Sequence, residues 1–153
     1  MFLFTRKYDL LRRIRELILV TDLAKQPDFI EMANAKLAQS QSLTAEETMK
    51  LMLKCADISN EVRPVNISQP IIHSLYEEMF EQGRLEKELN LPVTPGNEET
   101  LVSKEDQQIM FHKNFTLPLF RLLALAYPVT RVPYLSILES VAEKEYGIDL
   151  TLM

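Results

Sequence analysis

The stretch from Thr44 to Asn60, TAEETMKLMLKCADISN, contains the strongest local signals in the chain. Thr44 and Glu47 have the spacing of a capping box, in which the threonine accepts from the third amide of a helix and the glutamate reaches back. From Met49 to Ala56 apolar residues recur at three- and four-residue spacing, which is the pattern of an amphipathic helix. The stretch therefore predicts a capped helix that ends just before Asn60.

Similar patterns occur on both sides of this stretch. They predict further helices at these places: Tyr8 to Leu23, a helix opened by Pro27, one starting at Ser68-Gln69-Pro70, one from Ser103 through Leu125 that bends at Pro118, and a last helix opened by Pro133 and closed by Gly147. The segment from Leu91 to Val102 has no period and contains turn residues, so it predicts a surface loop. We expect an all-α protein with one domain over residues 1–153 and no second domain.

The composition excludes several kinds of site. The three glycines, Gly83, Gly96 and Gly147, are too far apart for a glycine-rich phosphate loop or a dinucleotide fingerprint. Two histidines and one cysteine cannot build a multi-histidine or thiolate metal centre within this sequence.

Charge and hydropathy limit the classes of partner that we expect. Seventeen basic and 22 acidic residues give a net charge of −5, so we expect no nucleic-acid partner. No apolar run reaches the roughly 20 residues that span a bilayer, so we expect no membrane partner. A single cysteine indicates a reducing compartment, and we expect a cytoplasmic protein.

Two carboxylates can each be explained either by a functional site or by a structural role. Asp57 follows apolar residues late in a helix, where a buried carboxylate would need a cation or several donors. A helix cap or an ion pair with Lys54 or Arg63 explains the same residue. Asp22, at the end of the first predicted helix, has the same two explanations: a functional site or a helix-terminal hydrogen bond.

A third candidate lies near the middle of the long helix. Gln108 is one turn from Phe111, so an amide and an aromatic ring could share a pocket suited to a planar heterocycle. A helix with one solvated edge would show the same pattern.

Lys54 to Asn60 reads KCADISN and Glu61 to Pro64 reads EVRP. The first is similar to the KCADISN signature of the class I cyclic-nucleotide phosphodiesterases, and the second extends the match toward the cGMP-preferring branch. Five more segments resemble motifs of that family, in the family's order: Ile18 to Leu23 (ILATDM), Tyr76 to Lys87 (EEFxxQGDxEK), Leu91 to Pro95 (LPVxP), Gln108 to Phe111 (QxGF) and Pro118 to Phe120 (PLF).

The resemblance implies a compact, multi-helix, HD-like catalytic domain, of which residues 1–153 form the carboxy-terminal part. It implies hydrolysis of cAMP or cGMP to the 5′-monophosphate by a hydroxide that two metals activate, zinc and magnesium or manganese.

The resemblance also implies roles for individual residues. Asp57 would be the aspartate ligand of the tightly held metal, with Thr21 and Asp22 in the metal and water surroundings. Leu23 and Asn60 would line the nucleotide pocket. Gln108 would hydrogen-bond the purine edge, and Phe111 would stack on the ring.

The sequence also departs from the family pattern. The HNxxH and HD motifs and the general-acid histidine, which precede the matched segments in the family, are absent, so no catalytic residue is assigned within this chain. Four family residues are replaced, by Gln26 (His), Ile71 (Trp), Arg84 (Asp) and Met110 (Gly).

Two hypotheses follow. The chain is the carboxy-terminal half of a phosphodiesterase, or it is a catalytically inactive helical interaction module derived from one. Either way, we expect apolar surface left uncovered by the absent helices, and self-association through it.

Overall fold

The computed structural model describes residues 2–100 and 103–150. Within those ranges the regular structure is helical and contains no strand, so the all-α prediction is confirmed. The longer helices are α1 (Phe2–Val20), α2 (Gln26–Ala38), α3 (Ala45–Asp57), α4 (Val65–Glu88), α5 (Lys104–Phe111), α6 (Leu117–Ala126) and α7 (Ser136–Tyr146). None of the helices described is both long and apolar enough to cross a membrane.

The helices group into two compact units. Unit 1 lies within residues 1–59 and 118–131, and unit 2 within residues 60–117 and 132–153. A single domain over residues 1–153 stays a prediction.

Unit 1 contains α1, α2, α3 and most of α6, and α1 packs against α3. The capping box predicted for α3 is present, because the Glu47 amide donates to Thr44 Oγ1 and the Thr44 amide donates to Glu47 Oε2. The buried apolar side chains of unit 1 come from α2, α3 and α6: Phe29, Ala33, Leu51, Cys55, Leu119, Phe120, Leu122, Leu123 and Ala124.

The apolar face of α1 is not covered. Leu10, Leu11, Ile14 and Ile18 are 58, 52, 43 and 62% exposed. Amphipathic patterning predicted the helix, and the structure adds that its apolar stripe lacks a covering layer. The expectation of uncovered apolar surface is therefore confirmed for this helix.

Unit 2 contains α4, α5 and α7, and α5 packs against α7. The core of α4 is Ile72, Tyr76 and Phe80. Gly147 takes a left-handed conformation, with φ of 59°, and ends α7 as predicted.

Several helix boundaries differ from prediction. Helix α1 runs from Phe2 to Val20, not from Tyr8 to Leu23, and α7 begins at Ser136, after a π-helical turn at Arg131–Leu135, not at Pro133. Helix α4 begins at Val65, not Ser68, because Pro64 serves as its N-cap and Pro70 falls inside its second turn. The predicted long helix is divided into α5 and α6 by a π-helical turn at His112–Thr116. Pro118 has no N–H for the regular helical bond, so a locally wider turn accommodates it.

Candidate functional site

The segment after α1 carries three predicted site residues. Thr21 Oγ1 donates to the Ile18 carbonyl at 2.9 Å, and Asp22 Oδ1 accepts from the Ala24 amide at 3.0 Å. Asp22 is thus the N-cap of a short 3-10 helix, Leu23–Lys25, in which Leu23 is half-buried. The hydrogen bond that the structural reading of Asp22 required is present, and Asp22 remains exposed.

Asp57 is the last residue of α3 and is exposed, so the expectation of a buried carboxylate is wrong. The buried group at this point is Lys54, whose side chain reaches inward. A carboxylate at a helix C-terminus meets the negative end of the helix dipole, so helix stability does not explain Asp57.

Lys54 is 2% exposed and its Nζ donates to the Val20 carbonyl at 2.7 Å. Burial lowers the pKa of Lys54, while the charges of Asp57 and Asp22 oppose that shift. Both carboxylates therefore act on one buried ammonium, and unit 1 brings the ends of α1 and α3 together around it.

The described residues include no group of three or more His, Cys, Asp or Glu side chains that could hold a metal ion. Asp57 alone does not make a metal site. Cys55, two residues before Asp57, is buried. Burial raises the pKa of the Cys55 thiol to about 12, so the thiol is not a reactive nucleophile.

In unit 2, Gln108 is 5% exposed and its amide is held at both ends. Its Nε2 donates to Glu61 Oε2 at 2.6 Å, and its Oε1 accepts from the Tyr76 hydroxyl at 3.2 Å. These two hydrogen bonds place the nitrogen end of the amide toward Glu61 and its oxygen end toward Tyr76. Burial, followed by the charge of Glu61, raises the pKa of Tyr76 to about 12, which keeps its hydroxyl protonated.

Glu61 and His112 are polar site residues that the sequence analysis missed. Glu61 is 9% exposed and His112 is fully buried. His112 Nε2 lies 2.9 Å from Glu61 Oε2, but the pair lacks hydrogen-bond geometry. The His112 ring also packs on Tyr146, with ring centroids 4.8 Å apart.

Gln108 lines a cavity of about 310 Å³ within unit 2. Helices α4, α5 and α7 form its wall, with Tyr76 and Tyr146 beside Gln108 and with His73 among the lining residues. The volume is at the lower end of those that bind small molecules.

Asn60 and Phe111 lie in the same unit but do not line this cavity. Asn60 Nδ2 donates to the Ser68 carbonyl at 3.4 Å, whereas its buried Oδ1 has no hydrogen-bond partner among the described residues. Phe111 is half-buried one turn after Gln108, and its ring packs on Phe115 with centroids 5.4 Å apart. An unpaired buried oxygen at Asn60 fits a ligand or a water.

Comparison with known proteins agrees with the motifs. A model of the 3′5′-cyclic nucleotide phosphodiesterase family matches residues 4–136. The high affinity cGMP-specific 3′,5′-cyclic phosphodiesterase 9A of Mus musculus is 36% identical over 126 residues, covering 77% of this chain and 23% of the mouse protein. The cGMP-specific 3′,5′-cGMP phosphodiesterase 3 of Dictyostelium discoideum is 34% identical over 125 residues, covering 80% of this chain and 27% of that protein.

The chain thus spans about a quarter of the length of these relatives. Among solved structures, that of LmjPDEB1 in complex with IBMX has a similar fold, with a TM-score of 0.75 and 24% identity. The match covers 87% of this chain and 41% of the other. The chain therefore belongs to the 3′5′-cyclic nucleotide phosphodiesterase family.

Proposed function

We propose that this chain is the nucleotide-binding part of a phosphodiesterase that hydrolyses a 3′,5′-cyclic nucleotide, with cGMP preferred over cAMP. The observation that carries the proposal is the buried amide of Gln108, which Glu61 and Tyr76 hold in one orientation beside a cavity. The names of the matched relatives, which describe cGMP-specific enzymes, support the choice of base.

Gln108 retains capacity for a base after its two protein contacts. A glutamine amide has two N–H groups and two oxygen lone pairs, and Glu61 and Tyr76 use one of each. One donor and one acceptor remain. Guanine presents an O6 acceptor beside the N1–H donor, whereas adenine presents an N6 donor beside the N1 acceptor. In a given pose a fixed amide is therefore complementary to only one of the two bases.

Other residues of unit 2 have supporting roles in this proposal. Asn60 would use its unpaired Oδ1 to accept from the ligand or from a bound water. Phe111 would stack on the purine, since it follows Gln108 by one helical turn. Leu23 would contribute an apolar side chain to nucleotide binding, as the family resemblance implies.

The residues present do not fit a complete metal site. We propose Asp57 as one ligand of a zinc ion, with Thr21 and Asp22 near that ion and a second ion, magnesium or manganese. Asp57 is exposed at the last residue of α3, so its carboxylate is accessible to an ion, which supports this role. The other ligands and the general-acid histidine would come from polypeptide outside these 153 residues.

Self-association through α1 and a cytoplasmic location are also part of the proposal. The exposed side chains of Ile14 and Ile18 support the first, and the single cysteine supports the second. Sedimentation velocity of the chain and of Ile14→Glu tests self-association, because a charge on the apolar stripe should shift the distribution toward monomer. Fractionation of cells tests the location.

The main test is nucleotide binding by the ¹⁵N-labelled chain. We expect cGMP to shift the signals of Gln108 and Phe111 at lower concentration than cAMP. Gln108→Ala should abolish the response, whereas Gln82→Ala, an exposed glutamine on α4, should leave it unchanged. A folded chain that responds to neither nucleotide would refute the binding role and favour an inactive interaction module.

Hydrolysis tests the metal proposal separately. With Mg²⁺ and Zn²⁺ present, we expect no turnover of cGMP or cAMP by the isolated chain. Turnover that disappears in Asp57→Ala would overturn the proposal that the other ligands lie outside these residues. Metal analysis of the purified chain should find no bound zinc.

A further inference from the structure

Thr94 is the only serine or threonine in this sequence that a proline follows, and Pro92 stands two residues before it. Pro-x-Thr-Pro is the pattern that proline-directed protein kinases recognise. Pro92, Thr94 and Pro95 lie in the loop of residues 91–100, outside the helices, and all three are exposed. Exposed loops are the segments that a modifying enzyme can reach.

In the folded chain one carboxylate holds Thr94. Glu86, near the end of α4, accepts from the Thr94 hydroxyl through Oε1 and from the Thr94 amide through Oε2, both at 2.7 Å. Gln82 Nε2 donates to the same carboxylate at 2.7 Å. The hydrogen bonds from Gln82 and then from Thr94 lower the pKa of Glu86, so its carboxylate is ionised at neutral pH. The Thr94 hydroxyl therefore lies directly against a negative charge.

The two cationic side chains at this end of α4 already have acidic partners in the loop. Lys87 Nζ lies 2.5 Å from Glu98 Oε1. Arg84 Nη1 lies 3.5 Å from Glu99 Oε2. A phosphate on Thr94 would have to displace one of these carboxylates before it could pair with either cation. Repulsion by Glu86 is thus the first consequence of a phosphate at this position.

We propose that Thr94 is a phosphorylation site for a proline-directed protein kinase, and that its phosphorylation releases the 91–100 loop from α4. The kinase transfers the γ-phosphoryl group of ATP to Thr94 Oγ1, so that ADP leaves and the hydroxyl proton passes to the kinase's catalytic carboxylate. The product has no hydroxyl to donate to Glu86, and its charge of about −1.5 to −2 repels that carboxylate. This role holds whether or not the chain binds a nucleotide.

The first measurement asks whether the kinase modifies Thr94. The chain is incubated with ATP, Mg²⁺ and a mitogen-activated protein kinase, and the modified residue is located by mass spectrometry. We expect phosphate on Thr94 of the wild-type chain, and no phosphate in Thr94→Val or Pro95→Ala. A folded wild-type chain without phosphate on Thr94, under conditions in which the kinase modifies a standard peptide substrate, would overturn the proposal.

The second measurement is hydrogen exchange of the Thr94 amide, which donates to Glu86. Rates are expressed relative to a peptide of residues 88–100 with or without the phosphate, so that local chemical effects cancel. We expect phosphorylation to accelerate the exchange at least about tenfold. Thr94→Val, which lacks the hydroxyl but adds no charge, should accelerate it less. In Glu86→Gln, which removes the repelling charge, phosphorylation should accelerate it by a smaller factor than in wild type.

Each other outcome contradicts part of this account. Unchanged exchange in the phosphorylated chain would refute the release, and slower exchange would refute it by showing that Lys87 or Arg84 captures the phosphate. Equal factors in wild type and Glu86→Gln would refute the repulsion by Glu86. The amide of Leu51, buried in unit 1, is the control. Equal acceleration at Leu51 would show global unfolding in place of loop release.

Discussion

Replacing Gly83 with alanine should detach the loop after α4, because the chain passes this glycine very closely. A Cβ at Gly83 would lie 2.1 Å from the carbonyl oxygen of Asn97 and 2.9 Å from its carbonyl carbon. Asn97 is 5% exposed, so the contact is with a buried part of the loop. The loop is also tied to α4 by Glu86, which accepts from the amide and the hydroxyl of Thr94 at 2.7 Å each.

The expected size follows from two opposing effects. Alanine in a helix interior is favoured over glycine by about 1 kcal/mol. Relieving a 2.1 Å contact requires the loop backbone to move by more than an ångström, and overpacking of this kind costs roughly 1–3 kcal/mol. Loss of the docked loop adds to that cost. We expect Gly83→Ala to lower the free energy of unfolding by about 1–2 kcal/mol net.

Urea denaturation followed by circular dichroism at the helix band measures this change. Glu78→Ala, an exposed position on the same helix, is the control and should stay within about 0.5 kcal/mol of wild type. Amide signals of the loop should move in Gly83→Ala alone. A variant at least as stable as wild type, with the loop signals unmoved, would show that this close packing has no energetic consequence.

Four further substitutions test the energetics of the fold. Thr44→Ala removes the capping box of α3 and should cost about 1 kcal/mol in urea denaturation, whereas an unchanged midpoint would contradict the cap's contribution. The Lys36 ammonium, together with the cap, lowers the pKa of Glu47 to about 2, so its stabilisation is complete above pH 4.5 and is lost as the pH falls toward 2. Glu47→Gln should remove about 1–2 kcal/mol of the difference between urea stabilities at pH 6 and pH 3, and an unaltered acid profile would refute this. Burial raises the pKa of Cys55 from 9.0 and of Tyr76 from 10.0, both to about 12, so the unfolded chain loses these protons first and stability falls as the pH rises above 9. Cys55→Val should remove the fall that begins near pH 9 and Tyr76→Phe the fall that begins near pH 10; alkaline profiles identical to wild type would disprove the assignment.

Local signals in the sequence predicted most of the helices. Thr44 with Glu47 and Gly147 act within one turn of chain, so their patterns translate directly into a helix start and a helix end. Pro118 predicted an interruption correctly, but its form as a π-helical turn depends on the neighbouring residues. The start of α4 at Val65 was missed because Pro70 is also tolerated inside the second turn.

The site was only partly predictable, because its contacts join distant residues. Gln108 was identified, but its bond to Glu61 spans 47 residues and has no periodic signal. The same holds for Lys54 and the Val20 carbonyl, 34 residues apart, which explains why the sequence suggested a buried Asp57 where the structure buries Lys54. Near this end of α3 the buried polar side chain is Lys54, and Asp57 is exposed.

The chemical reactivity of Cys55 can report the local opening of α3. The chain has one cysteine, and in the folded state its thiol is buried with a pKa of about 12, so almost none is thiolate at neutral pH. A disulfide reagent can modify it only after α3 separates from its neighbours in unit 1. At low reagent concentration the modification rate therefore measures the free energy of opening of α3. At high reagent concentration it measures the opening rate of α3, and neither measurement needs an added label. Applied with and without cGMP, the same reaction would tell whether nucleotide binding reaches that helix.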